Sequence, residues 1–434
     1  MAIDEAGSAG AHFASKGWSL RTKVLIPVLG ALVVAGGVGA AVIGSSSPSS
    51  TPHHTSSGAA TSTTVAPPTT PSTVARAVLV AAVTVNPVTG TTGVALNSPV
   101  TVRTAQGRLT AVTVTTATGS ALAGALNAEG TEWTSRAPAL AGGADYKVTA
   151  TVAGQGNTAT ATSTFATLSP TAWVGVSLWP DTGLSVGVGQ PVVVKFDQPI
   201  PTAGRAGVMA HLHLSMSTPV AVGAYWFSSS ELHLRPETYW PTGEQIAFSD
   251  DLDGWSAGNG MWGQGTGSVR FSIGDARIST ANLATHTMTV TDNGKVVSTY
   301  PISGGSTQFP TMDGTHIVLD RSSVVQMDSA TVGIPVNSPE GYDETVLWDV
   351  HISDSGEYVH AAPWSVADQG SINVSHGCVN LSTANAQAFF NFSRVGDVVV
   401  VEGGPRPPAV GDHGVMDWST PWSSWTPVPV TALA

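Results

Sequence analysis

Cys378 is the only cysteine in 434 residues, and it lies in the stretch YVHAAPWSVADQGSINVSHGCVNL, Tyr358–Leu381. The same stretch holds His360 and His376, and Gly377 directly precedes the cysteine. A thiol becomes a strong nucleophile as thiolate, and an imidazole within hydrogen-bond reach takes its proton. Gly377 permits a tight turn and lets a substrate approach the backbone. His360 stands 18 positions before Cys378, a spacing that fits two neighbouring strands joined by a loop. His376 is two residues from the cysteine, so in an extended segment both side chains share a face. Two other readings of the same residues stay open. A lone cysteine is commonly a small buried hydrophobe. A His-His-Cys metal site uses ligand types that zinc accepts, although no second cysteine or close carboxylate completes a tetrahedral set.

Length and composition bound the frame. A chain of 434 residues suggests two to four domains. Charged residues are 11% and hydrophobic ones 42%, which reads as β-rich, extracellular material with enough apolar content for cores. The formal net charge of −12, without a Lys/Arg cluster, argues against nucleic acid as a partner. One cysteine cannot close an internal disulfide; in an exported chain it suggests a reactive thiol or an intermolecular bridge.

Export is expected from the N-terminus. Residues 1–23 are polar and carry Lys16, Arg21 and Lys23; Val24–Gly44 then runs 21 residues without a charge. That length spans a bilayer as a helix, and the basic flank places residues beyond it outside the cytoplasm. The expected localisation is a single-pass cell-membrane protein with its catalytic domain extracytoplasmic, a cleaved signal peptide being the alternative. Residues 45–76 are Ser/Thr/Pro-rich and read as an extended linker.

Three β units must then position the loop. Residues 77–168 and 169–274 show short alternating runs broken by Gly, Asn and Pro, the pattern of antiparallel sandwiches. In the first, Tyr146, Val148, Ala150 and Val152 share one face and Trp133 plugs the core. In the second, Val192–Ile200 and Glu231–Pro236 read as strands, and His211 and His213 share a face on which a metal is a lesser reading than a solvated surface. Its Tyr225, Trp226, Trp240, Trp255 and Trp262 suit core packing or, as a sharper reading, a carbohydrate-stacking surface. The third unit, 275–407, opens on a hairpin over Thr287–Ser303 turning at Asp292-Asn293-Gly294. Its one main helix is expected to start at the N-cap Ser382, present Ala386, Phe389, Phe390 and Ser393 on one stripe, and close at Gly396. Residues 408–434 form a tail with Trp418, Trp422 and Trp425.

SHGCVNL preceded by YVHAAPWSV resembles the signature of the L,D-transpeptidases with a YkuD-type catalytic domain. The likeness extends through GTHIVLD, GIPVNSPEGY, LWDVHISDSGEYVH, NAQAFFNFSRVGDVVVV and MDWSTPWSSW, about the last third of the chain. It is similar to the multi-domain mycobacterial and actinobacterial enzymes, whose catalytic domain follows two immunoglobulin-like modules. The resemblance implies a mainly β fold, two such modules, and a YkuD-type β-sandwich on which the tail folds back. It implies Cys378 as nucleophile and His360 as base, with His376 and Asn380 shaping the catalytic loop and the backbone N–H groups near Gly377 and Cys378 as candidates for the oxyanion hole. Tyr342 on a lid, Ser375, Asn380, Ala361 and Trp364 are the implied substrate-side residues. Ala361 stands where the family often has Ser, and Val332 where close relatives commonly have Tyr. The implied reaction joins peptidoglycan stem peptides, a tetrapeptide donor and an acceptor amine, in 3→3 cross-links. Carbapenems are the implied inhibitors, and no metal or organic cofactor is implied. An L,D-carboxypeptidase with the same residues and a non-catalytic wall-binding protein are the competing readings.

Overall fold

The computed structural model describes residues 73–136 and 139–433. The expected membrane segment and most of the linker lie outside them. Among the described residues no helix is long and apolar enough to cross a membrane.

The first unit is a two-sheet sandwich. Val83–Asn86, Thr101–Thr104, Glu132–Ser135 and Gly124–Leu126 form one sheet, and Arg108–Thr116, Asp145–Gly154 and Asn157–Ala166 the other. The period-2 pattern is met: Tyr146, Val148, Ala150 and Val152 are buried around Trp133. A helix, Thr73–Ala81, precedes it and packs on the Asn157–Ala166 strand, where the composition suggested the linker's end.

The second unit packs two five-stranded sheets around a core that includes Trp240. Trp240 and Trp262 are buried, and the Trp240 indole N–H donates to the Gln190 carbonyl at 2.6 Å. Trp226 stacks on Phe196 at 5.4 Å. These rings fill core and interface, which answers the carbohydrate-surface reading for them. An unexpected helix spans Thr202–Ala210. It contains Gly204 and Gly207, which lower helix propensity. A Cβ at Gly207 would lie 2.7 Å from the Trp255 indole nitrogen, so tight packing on Trp255 holds this helix where local preference does not.

Each of the two five-stranded sheets takes an edge strand from the C-terminal tail. Thr426–Val428 pairs antiparallel with Val222–Trp226, and Val430–Ala432 runs parallel to Leu212–Met216. The tail's short helix, Met416–Ser419, does pack against Gly314–Ile317 of the third unit. The tail therefore bridges the two units, where the resemblance implied packing on the catalytic domain. Arg235 pins it: its guanidinium lies 4.4 Å from the Trp418 and Trp425 ring centroids and 5.3 Å from that of Trp422. It also donates to the carbonyls of Asp417 at 2.9 Å and Thr420 at 3.1 Å. Charge-assisted hydrogen bonds contribute about 1.5–3 kcal/mol each, and buried cation–π contacts add to them. Arg235→Ala is expected to destabilise the second unit by at least about 3 kcal/mol. It should also expose the tail to C-terminal proteolysis, read by intact mass during limited digestion; a tail as resistant as the parent's would contradict this.

The third unit is a sandwich of two sheets. One orders Lys295–Pro301, Thr287–Asp292, Arg277–Asn282, Val398–Glu402 and Gly314–Ile317; the other orders Asp320–Asp328, Asp343–Ser353, Glu357–Ala361 and Val379–Leu381. The expected hairpin turns at Asn293 and Gly294, both with positive φ (49° and 78°), which suits a two-residue hairpin turn. The helix Thr383–Phe392 begins at Ser382, whose Oγ accepts from the Asn385 N–H at 3.3 Å. Ala386 and Phe389 are buried against the second sheet. The helix ends earlier than expected: Ser393 is its C-cap, and Gly396 supplies a left-handed residue in the following turn.

Candidate active site

Glu357–Ala361 runs parallel to the three-residue strand Val379–Leu381, with Val359 opposite Val379 and His360 opposite Asn380. The crossover between them is the loop that carries SHGC. Continuing that register puts Cys378 opposite Tyr358, whose backbone N–H faces the sulfur. By that register imidazole and thiol leave alternate rungs, with the Val359–Val379 rung between them, on one side of the sheet. The thiol points at the Gly356 carbonyl, 3.8 Å from Sγ.

The loop is held from both sides. Ser375 Oγ donates to the Cys378 carbonyl at 2.6 Å and accepts from the Gly377 N–H at 3.1 Å. Ser303 and Asn380 exchange backbone hydrogen bonds, and Ser306 N–H bonds the Ser375 carbonyl at 2.8 Å. Gly377 has φ of 126°, a conformation that favours glycine. The Gly377 N–H is thus engaged by Ser375.

His360 is buried, and its Nδ1 lies 3.0 Å from the Ala361 carbonyl. That acceptor fixes Nδ1 as the protonated nitrogen and leaves the Nε2 lone pair to take a proton. The interaction uses the main chain of residue 361, so alanine in place of the family's usual serine leaves it intact. Burial pushes His360 down to about 4, the Ala361 carbonyl opposing. Burial pushes Cys378 up to about 12, with the Tyr358 N–H pulling the other way and Glu357 and Asp349 adding to the rise. Both shifts favour the uncharged forms, thiol and imidazole, as a general-base role for His360 requires. Both acids behind the site are pushed up to about 7 by burial. Glu357 bonds Arg406 at 2.6 Å and the Met312 N–H at 3.0 Å.

The remaining sequence candidates divide. Tyr342 and His376 come together, ring centroids 5.2 Å apart, and Phe309 stacks on His376 at 4.7 Å. His376 Nε2 stands 3.5 Å from Glu340. Trp364 is exposed, its ring 6.2 Å from that of His360. Asn380 is buried and donates to Ser365 Oγ at 3.1 Å, so it braces the loop. The Ala361 side chain faces the core and only its carbonyl reaches the site. Val332 sits over Gly356: a Cβ on that glycine would lie 2.9 Å from Val332 Cγ1. Sequence reasoning missed Phe309, Glu340 and Glu357. Glu340 and Glu357 fall inside quoted motifs, but nothing in one sequence marks them as neighbours of the loop. Among the described residues, the one group able to hold a metal, Glu231, His233 and His413, does not include Cys378.

A thiol on a tight turn, an imidazole with one tautomer fixed and a cluster of aromatic rings on a β-sandwich are the parts that cysteine acyl transfer uses. Residues 276–401 match the L,D-transpeptidase catalytic domain (YkuD) family, and residues 91–256 match the bacterial Ig domain family. The chain is 39% identical over 350 residues to L,D-transpeptidase 2 of Mycobacterium tuberculosis, covering 80% of this chain and 84% of that one. It is 38% identical over 229 residues to L,D-transpeptidase 1 of the same species, covering 52% and 84%. A solved complex of an L,D-transpeptidase with imipenem shares 37% identity and a TM-score of 0.46, covering 52% of this chain and 99% of that one. The chain belongs to the L,D-transpeptidase family and is a cysteine-dependent enzyme of that class, mainly β, with an Ig-like region upstream of its YkuD-type sandwich.

Proposed function

We propose that this enzyme forms 3→3 peptidoglycan cross-links, with Cys378 as nucleophile and His360 as general base. His360 Nε2 takes the thiol proton as sulfur attacks the carbonyl that joins the L-centre of the third stem residue to D-Ala. The Cys378 N–H is the proposed donor to the oxyanion. The C–N bond breaks, D-Ala leaves with the proton from the imidazolium, and a thioester remains. A side-chain amine of a second stem attacks the thioester, gives up a proton, and the thiol is restored. The single observation that carries this reading is the parallel pairing of the His360 strand with the segment that follows Cys378.

Tyr342, His376, Phe309 and Trp364 are the proposed walls of the acyl-donor site, and Val332 leaves its rim more open than a tyrosine would. The β-lactam carbonyl of a carbapenem is the proposed surrogate for the stem carbonyl. The apolar run Val24–Gly44 supports a membrane anchor, with the Ig-like region as a stalk carrying the site toward the wall.

The deciding experiment is mass spectrometry of products from a purified tetrapeptide muropeptide. A dimer of two stems minus one D-Ala is the expected product. Tripeptide plus free D-Ala alone would identify an L,D-carboxypeptidase instead, with water as acceptor.

A further inference from the structure

We propose that Glu231, His233 and His413 form a zinc site that staples the Ig-like region to the catalytic domain. Their donor atoms all lie within 4.8 Å of one another. Glu231 Oε1 is 2.8 Å from Nε2 of His233 and 2.8 Å from Nε2 of His413. The outer nitrogen of each ring is also held by a carboxylate: His233 Nδ1 by Asp417 at 2.8 Å, His413 Nδ1 by Asp354 at 2.6 Å. A carboxylate on the far nitrogen is the usual means of orienting a metal-binding imidazole and raising its basicity. Two histidine nitrogens and a carboxylate oxygen are a zinc ligand set, with a fourth position for water. His413 is part-exposed, so water reaches it.

Both nitrogens of both rings face carboxylates. Zinc at about 2.0–2.1 Å from each donor needs donor separations of about 3.3 Å. The two 2.8 Å contacts must open by about 0.5 Å, and the two histidine nitrogens, which lie within 4.8 Å of each other, must come to the same separation.

The donors come from the second unit and from the tail that bridges it to the catalytic sheets. Glu231 and His233 lie on the strand Glu231–Pro236 of the second unit, and His413 in the tail that follows the catalytic sheet. Asp354 sits in the turn before Glu357–Ala361, the same turn whose Gly356 carbonyl faces the Cys378 sulfur. A metal here fixes that turn against the Ig-like region without entering the chemistry.

The test uses the full chain, stripped with chelator, given one equivalent of zinc and desalted. About one zinc per chain and a raised melting temperature are expected, because a ligand that binds the folded state stabilises it. His413→Gln should retain less than about a tenth of the zinc and lose the thermal shift. Asp354→Asn, on a turn, keeps all three donors and should weaken zinc by about 10–100-fold, which guards against a His413→Gln chain that fails to fold. Cys378→Ala should keep its zinc in full. A parent chain that holds no zinc, undiminished zinc in both His413→Gln and Asp354→Asn, or loss of zinc in Cys378→Ala would each overturn the assignment.

Discussion

A Cys378→Ala chain is expected to form no acyl-enzyme and no cross-linked product, a loss beyond about 10⁴-fold. General acid–base help and binding that survive the change are together far weaker than a covalent route, since acid–base assistance alone is about 10²–10⁴-fold. The fold should survive. The loop around residue 378 is held by Ser375 Oγ on its main chain and by the Ser303–Asn380 bonds, and none of these uses the sulfur. Activity and folding are thus separable here. The check is intact-protein mass after carbapenem treatment beside a melting curve. The parent chain should gain the mass of the drug and the variant none, at similar melting temperatures. Adduct on the folded variant, or none on the folded parent, would place the nucleophile elsewhere.

The loop was legible because its information is local. His360 and Cys378 lie within one stretch, and a parallel strand pair with a short crossover is the simplest way to join them. The Ser382 cap and the Asn293-Gly294 turn are likewise written in a few adjacent residues. The bridging tail was not legible. Its strand residues read Thr-Pro-Val and Val-Thr-Ala, too short and proline-rich to signal strands, and their partners lie more than 200 positions away. The Glu231, His233 and His413 group has the same cause: two donors share a strand, but the third is 180 positions further along. The helix Thr202–Ala210 failed differently, since its glycines argue against helix until Trp255 is seen packed on them. The ionisation of the pair was not legible for a third reason: burial, which a sequence does not reveal, drives thiol and imidazole both toward their neutral forms.

That neutral pair sets the second large expectation, on His360. A free imidazole titrates near 6.5 and loses base function below it. Burial lowers His360 to about 4, so its Nε2 stays unprotonated, and able to take the thiol proton, down to far lower pH. The parent's acylation rate should therefore show no imidazole limb between about pH 5.5 and 8. An imidazolium–thiolate pair behaves otherwise, its rate falling as the imidazolium loses its proton. His360→Ala removes the internal base and leaves a thiol pushed up to about 12. Its acylation then depends on the rare thiolate, and the rate should climb about tenfold per pH unit across the same range. Near neutrality the variant should be slower by about 10²–10⁴-fold, and the gap should narrow as pH rises. Acylation by a carbapenem, followed by intact mass from about pH 5 to 9, separates the cases. A parent profile centred near 6.5, or a His360→Ala profile as flat as the parent's, would show that His360 does not act as the base in this burial-suppressed form.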